Sequence, residues 1–265
     1  MSKLFTASLI AVFLLSPIAS LAAGESSGDE AEQLRGIVNN LLDDNTAFAK
    51  AHKPDYYKPF AENQHPRATV VTCSDSRVHT HALDKTPDGD LFMVRNIGNQ
   101  ISTAEGSVEY GVHHLHTPLL IIIGHVACGA IKAVQGDYSK ESEPIKRELD
   151  SIKLPAKNPK SGEAEEWLRG VNANVNNQVN FAMKKFTEEI KENKLTVIGA
   201  IYDFQNAMHQ GQGRLVITNI NGSTDAASVM TNLMKISGVG PGKQEMTGKP
   251  KKKTTKKPAV EQSEH

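Results

Sequence analysis

The sequence predicts an α/β fold: a mostly parallel central sheet of about four strands plus one edge or antiparallel strand, flanked by helices and preceded by a helical arm. Three observations predict it. Short β-branched or wholly apolar runs recur along the chain, and stretches with apolar residues three and four apart lie between them. The two kinds alternate, which is the pattern of strand-helix-strand units. One run, LLIIIGH (119–125), is apolar on both faces, as a strand covered on both sides must be.

The first segment, MSKLFTASLIAVFLLSPIASLAA, reads as an export signal. Lys3 precedes an apolar stretch, and Ser20-Leu21-Ala22 meets the small-x-small rule for cleavage after Ala22. The uninterrupted apolar core is shorter than the ~20 residues a bilayer requires, so a membrane anchor is the weaker reading. The mature chain is expected to be exported, periplasmic or secreted, with no integral membrane segment. About 240 residues then remain, enough for one substantial core or two small ones.

From Ala31 to Ala51, Leu34, Ile37, Val38, Leu41 and Leu42 fall at helical spacing and predict an amphipathic helix. A Pro-rich connector follows. ATVVTC (68–73) predicts a short buried strand and DLFMVRN (90–96) a second. Val108, Val112 and Leu115 give residues 103–115 a helical period, which Pro118 ends. After the strand 119–125, ACGAIKAVQG opens another helix that stops at Gly136. The polar region 137–194 carries one or more helices, LTVIGAIYDF (195–204) a central strand, and GRLVITNI (213–220) an edge or antiparallel strand.

Charge is balanced overall, with 30 Lys and Arg against 30 Asp and Glu, but six of the lysines lie between residues 249 and 257. That leaves 24 basic residues against the 30 acids: a mildly acidic body with a basic tail. The tail has almost nothing to bury, so disorder is expected there and no specific partner is assigned to it; nucleic acid is not an expected partner of an exported chain. The expected organisation is a signal peptide (1–22), a helical arm (23–60), an α/β domain (61–222) and a C-terminal extension with the basic tail (223–265).

The chain has two cysteines, Cys73 and Cys128. In an oxidising compartment a pair invites a disulfide between them. A second reading starts from their position, since each follows a predicted strand and His125 stands three residues before Cys128. Sites in open α/β sheets are built at the carboxyl ends of strands, so Cys73, His125 and Cys128 could converge there. Two thiolates and an imidazole suit zinc, with a fourth position left for water. Asp75 and Arg77 follow Cys73 at two-residue steps, and in extended chain the three would project to one side. Such a carboxylate can orient a water or close the metal site, and a forked guanidinium can hold it away. A plain salt bridge is the alternative for this pair.

CSDSRV, DLFMVRNIGN, GSVEYGVHHL and IIIGHVACGAIKA, in this order, resemble a β-class carbonic anhydrase, closely over Gln64 to Val134. The resemblance implies a zinc enzyme, one Zn2+ per chain, that interconverts carbon dioxide and bicarbonate by attack of zinc-bound hydroxide. It implies Cys73, His125 and Cys128 as metal ligands and Asp75 and Arg77 as a catalytic dyad. Gln64, Phe92, Ile97, Tyr110 and Gly129 match substrate-binding positions of the plant-like branch. It also implies a homodimer or higher oligomer whose N-terminal helix embraces the partner.

Two residues depart from the family pattern. Val70 stands where a bicarbonate-inhibited branch has tryptophan, so an open zinc site is expected. Val126 replaces a common Ser or Thr, which is expected to remove one hydrogen bond behind the ligands. His79 and His81 are candidate proton shuttles. The competing functions are hydrolysis of carbonyl sulfide or carbon disulfide on the same scaffold, and a catalytically silent zinc-binding protein.

Overall fold

The computed structural model describes residues 26–238. The export segment and the Lys-rich tail lie outside them. The chain divides into two compact units, residues up to Glu62 and residues from Asn63 onward.

In the first unit, α1 (Ser26–Ala51) and the short α2 (Pro54–Tyr57) are followed by a 3-10 turn at Lys58–Phe60. The apolar stripe anticipated on α1 is present, and Leu34, Ile37, Val38, Leu41 and Leu42 are all exposed on it.

The second unit is built on a five-stranded sheet in the order β2-β1-β3-β4-β5: β1 (Ala68–Cys73), β2 (Leu91–Asn96), β3 (Leu119–His125), β4 (Thr196–Asp203) and β5 (Arg214–Ile220). The first four are parallel and β5 pairs antiparallel with β4 at the edge. Each strand lies within two residues of its predicted bounds. The 103–115 segment forms α3 (Glu105–Glu109), which widens into a π-helical turn at Tyr110–His114.

One face of the sheet is closed by α6 (Glu163–Lys185). Its buried positions Val171, Asn174, Val175, Gln178, Val179 and Ala182 repeat at three- and four-residue steps, so they form one stripe. Acidic residues in its first turn and lysines in its last match the helix dipole. Gly124 in β3 lets α6 come close: a Cβ there would sit 2.7 Å from Val175 Cγ2 and 3.1 Å from Val171 Cγ1. Between strand and helix lie α4 (Gly129–Val134), α5 (Glu143–Ser151) and, after α6, α7 (Thr187–Lys191). The last helix, α8 (Ala226–Ser237), has no counterpart in the sequence reading. Asp225 caps it by accepting from Ser228 N at 2.8 Å, and Gly238 ends it in the left-handed region. Its Val229 and Leu233 pack on Ile198, Ile217 and Ile220 of the other sheet face.

Candidate metal centre

Parallel strands bring their carboxyl ends to one edge, and that edge holds the cysteines. Cys73 is the last residue of β1, paired in register with Asn96 of β2. His125 is the last residue of β3, the strand on the other side of β1. Three residues on, Cys128 occupies the N-cap position of α4. The two sulfurs and an imidazole nitrogen lie within 4.8 Å of one another, and all three residues are buried. Both thiols are free.

The turn between His125 and Cys128 is tight because Ala127 adopts the left-handed region, φ 53°. For a residue with a Cβ this costs about 1–3 kcal/mol, which the surroundings must offset. Arg77 Nη2 donates to the Ala127 carbonyl at 3.1 Å, and Val126 N donates to Tyr202 O at 3.1 Å. His125 Nδ1 lies 2.9 Å from the Val126 carbonyl. Donation from Nδ1 to that oxygen fixes the tautomer and leaves the Nε2 lone pair free. The carbonyl is main chain, so valine at 126 does not deprive His125 of a partner.

His125 Nε2 is buried with no hydrogen-bond partner among the described residues. An unsatisfied imidazole nitrogen is costly to bury. A cation between Nε2 and the two sulfurs would satisfy it, so the donor set fits a soft or borderline metal ion. The thiols are already strained as acids. The Cys128 thiol, hydrogen-bonded to Cys73, draws the Cys73 pKa down, helped by His125 and by the Gly98 and Asp75 amides. Cys128 is pushed up, because its proton is held in the hydrogen bond to Cys73 and burial disfavours a second charge there. A divalent cation would let both sulfurs bind as thiolates.

Asp75 and Arg77 stand beside this group, though not as extended chain would place them. The strand ends at Cys73, and a turn closed by Val78 N donating to Asp75 O at 3.0 Å carries both residues. Arg77 Nε donates to Asp75 Oδ1 at 2.8 Å and Nη2 to Oδ2 at 2.6 Å, a two-pronged grip. That grip, more than any other influence, holds the Asp75 carboxyl well below the usual carboxylate range. Asp75 Oδ2 lies 3.8 Å from His125 Nε2.

Two residues absent from the sequence reading complete this edge. Arg95 donates to Cys73 O at 3.1 Å and to Asp75 O at 2.7 Å, pinning the turn's backbone. Phe204, just past β4, lies under the Arg77 guanidinium at 4.7 Å and near-parallel to the His125 ring at 6.1 Å. Arg95 carries an in-sequence signal only as a charge inside a strand; Phe204 carries none.

The substrate-pocket candidates divide. Ile97 packs in the same apolar cluster as Cys73 and Cys128. Gly129 is exposed beside Cys128 with open space where a Cβ would be. Phe92 and Tyr110 belong elsewhere. Phe92 pairs with Thr69 at the start of β1, four residues before the Asn96–Cys73 pair, about 13 Å away along the strands. Tyr110 lies against Phe92, ring centroids 5.8 Å apart, and Gln64 is exposed ahead of β1. Within one chain Phe92 and Tyr110 do not meet the metal group. His79 and His81 are exposed.

A family model described as Carbonic anhydrase matches residues 68–209, more than half of the chain. The chain belongs to the carbonic anhydrase family. Among curated proteins it is 34% identical over 108 residues to a carbonic anhydrase of Synechococcus elongatus, covering 38% of this chain and 39% of the relative. It is 28% identical over 173 residues to beta carbonic anhydrase 3 of Arabidopsis thaliana, covering 57% of this chain and 66% of the relative. The chain thus spans between 39% and 66% of the length of these relatives. Among solved structures, a tetrameric β-carbonic anhydrase of Sordaria macrospora superposes with a TM-score of 0.59 at 26% identity, covering 69% of this chain and 96% of the other. The Coccomyxa β-carbonic anhydrase, solved with acetazolamide, shares the fold at a TM-score of 0.56 and 22% identity, over 78% and 98% of the two chains. The fold of this chain is therefore that of the β-class carbonic anhydrases. No described helix is long and apolar enough to cross a membrane.

Proposed function

We propose that this protein catalyses the reversible hydration of carbon dioxide to bicarbonate and a proton, with one zinc ion per chain held by Cys73, His125 and Cys128. The observation that carries the proposal is a buried, unpartnered imidazole nitrogen grouped with two free thiols beside a carboxylate already gripped by an arginine. Bound there, zinc supplies the Lewis acidity that makes hydroxide available from water near neutral pH, less strongly than in an all-histidine site because two thiolates offset its charge.

The chain's own residues do the rest. Asp75 accepts a hydrogen bond from the attacking water and turns its lone pair toward the carbon. Arg77 keeps the Asp75 carboxylate charged and fixed, since both of its oxygens receive a guanidinium N–H. Ile97 presents an apolar wall to a nonpolar gas. Gly129, with open space where a Cβ would stand, lets a bicarbonate oxygen approach the backbone there.

Gln64, Phe92 and Tyr110 act on the metal group of a second copy of the chain. The tetramer of the Sordaria enzyme supports an assembled form, and the exposed stripe on α1 offers apolar surface for it. The chain is further proposed to be exported, as its first 22 residues suggest; the N-terminal sequence of the mature protein tests this by starting after Ala22 or not. The open zinc site expected from Val70 is likewise part of the reading.

The test is zinc content together with carbon dioxide hydration, on wild type and Asp75→Asn. One zinc per chain, activity in the wild type that climbs with pH above neutrality and its loss in the variant are expected. Zinc with no activity in either protein overturns the reading in favour of a silent metal-binding chain. Preference for carbonyl sulfide overturns the substrate assignment.

A further inference from the structure

Cys128 sits at the end of a strained turn, and its direction depends on how α4 is held. Three contacts from α6 hold it. Trp167 Nε1 donates to the Cys128 carbonyl at 2.7 Å. Gln135, just past α4, donates from Nε2 to Glu166 O at 2.7 Å. Gly170 allows close contact, because a Cβ there would come within 2.6 Å of Gln135 Nε2 and 2.8 Å of Ile131 Cγ2. The Cys128 carbonyl also receives Lys132 N at 3.1 Å, the first bond of α4, so the indole is a second donor fixing the same peptide plane. The ring itself packs in the cluster that holds Cys73, Cys128 and Ile131, while Lys132 Nζ covers its outer side at 4.9 Å. The helix carrying Trp167 is the one seated on β3 through Gly124. One rigid body therefore sets both the strand that ends in His125 and the peptide of Cys128.

We propose that Trp167 is a positioning residue for the metal centre: its indole N–H fixes the Cys128 peptide so that the thiol faces Cys73 and His125, and this slows metal release. The proposal rests on the assignment of Cys128 as a ligand. Outer partners of metal ligands typically govern affinity by about 10–100-fold.

The chain has one tryptophan, so the indole can be altered alone. Zinc transfer from the holoprotein to an excess of chelator is followed for wild type, Trp167→Phe, and a protein in which benzothienylalanine replaces the tryptophan, keeping its shape without the N–H. Release should be about 10–100-fold faster in both altered proteins. The Lys132→Met variant, which uncovers the ring but keeps its N–H, should release zinc at the wild-type rate. Fast release from Trp167→Phe with wild-type release from the benzothienyl protein would assign the effect to packing and overturn the proposal. Wild-type rates in both would overturn it outright. A wild type that holds no zinc overturns the zinc reading first, and this proposal with it.

Discussion

The two ends of the parallel strands differ in how finished they are. At the carboxyl ends, Cys73, His125 and Cys128 are buried, and the surrounding backbone is held by Arg77, Arg95 and Trp167. At the amino ends, Phe92 and Tyr110 form a half-exposed aromatic surface. The first end brings two thiols, an imidazole and a carboxylate together within one chain. The second presents aromatic surface about 13 Å along the strands from that group. One chain can by itself preorganise three donors for an ion, whereas enclosing a small molecule takes more surface than one sheet edge supplies.

The largest expected effect is at the finished end. Asp75→Asn should lower carbon dioxide hydration by about 100-fold or more, the usual scale for a group that handles the reacting proton. Zinc content should stay at one per chain; loss of zinc in this variant would mean that Asp75 supports the ligands rather than the reaction.

Mixing tests whether the two ends meet between copies. Gln64→Ala and Asp75→Asn should each be poorly active alone. If Gln64 serves the partner's metal group, refolding the two together in equal amounts should restore about a quarter of wild-type activity, because half of random dimers are mixed and each has one intact site. No recovery on mixing would place each site within one chain.

A smaller effect probes the packing that fixes the finished end. Gly124→Ala forces a methyl toward Val175 and Val171 and should destabilise the fold by about 1–3 kcal/mol. Urea unfolding measures it, and zinc release should quicken in parallel because His125 is the next residue.

The smallest effect is electrostatic. Arg77 holds the Asp75 carboxyl below its ordinary range, so the folded state favours the ionised form. The pair's stabilisation is then present above the unfolded carboxyl value of about 3.9 and lost as pH falls toward the lower folded value. The stability gap between wild type and Asp75→Asn should be about 1 kcal/mol at neutral pH and close below about pH 4. A gap that widens on acidification would show that the carboxylate is not the stabilising form.

Much of this was legible in the sequence, for local reasons. Strands β1 and β3 announce themselves because β-branched and apolar residues run without interruption in ATVVTC and LLIIIGH. The grouping of Cys73, His125 and Cys128 is legible because each residue stands at or just after a strand end, and parallel strands carry such ends to one edge. The Asp75–Arg77 pair was found for a partly wrong reason: two-residue spacing aligns side chains in a strand, whereas here a turn does so. Helix α8 was missed because its burial against Ile198, Ile217 and Ile220 depends on strands far from it in sequence.

The sequence by itself determined the alternation of strands and helices, the identity of the donor atoms and their assignment to strand ends, since periodicity and residue chemistry are local properties. Only the tertiary structure decided which distant groups hold those donors in place. Phe204 under Arg77, Arg95 on the Cys73 and Asp75 carbonyls and Trp167 on the Cys128 carbonyl are contacts across 20 to over 100 residues of chain, and the register between β1 and β2 alone sets Phe92 apart from the metal group. Such contacts follow from how strands pair and helices pack, which no short window of sequence encodes.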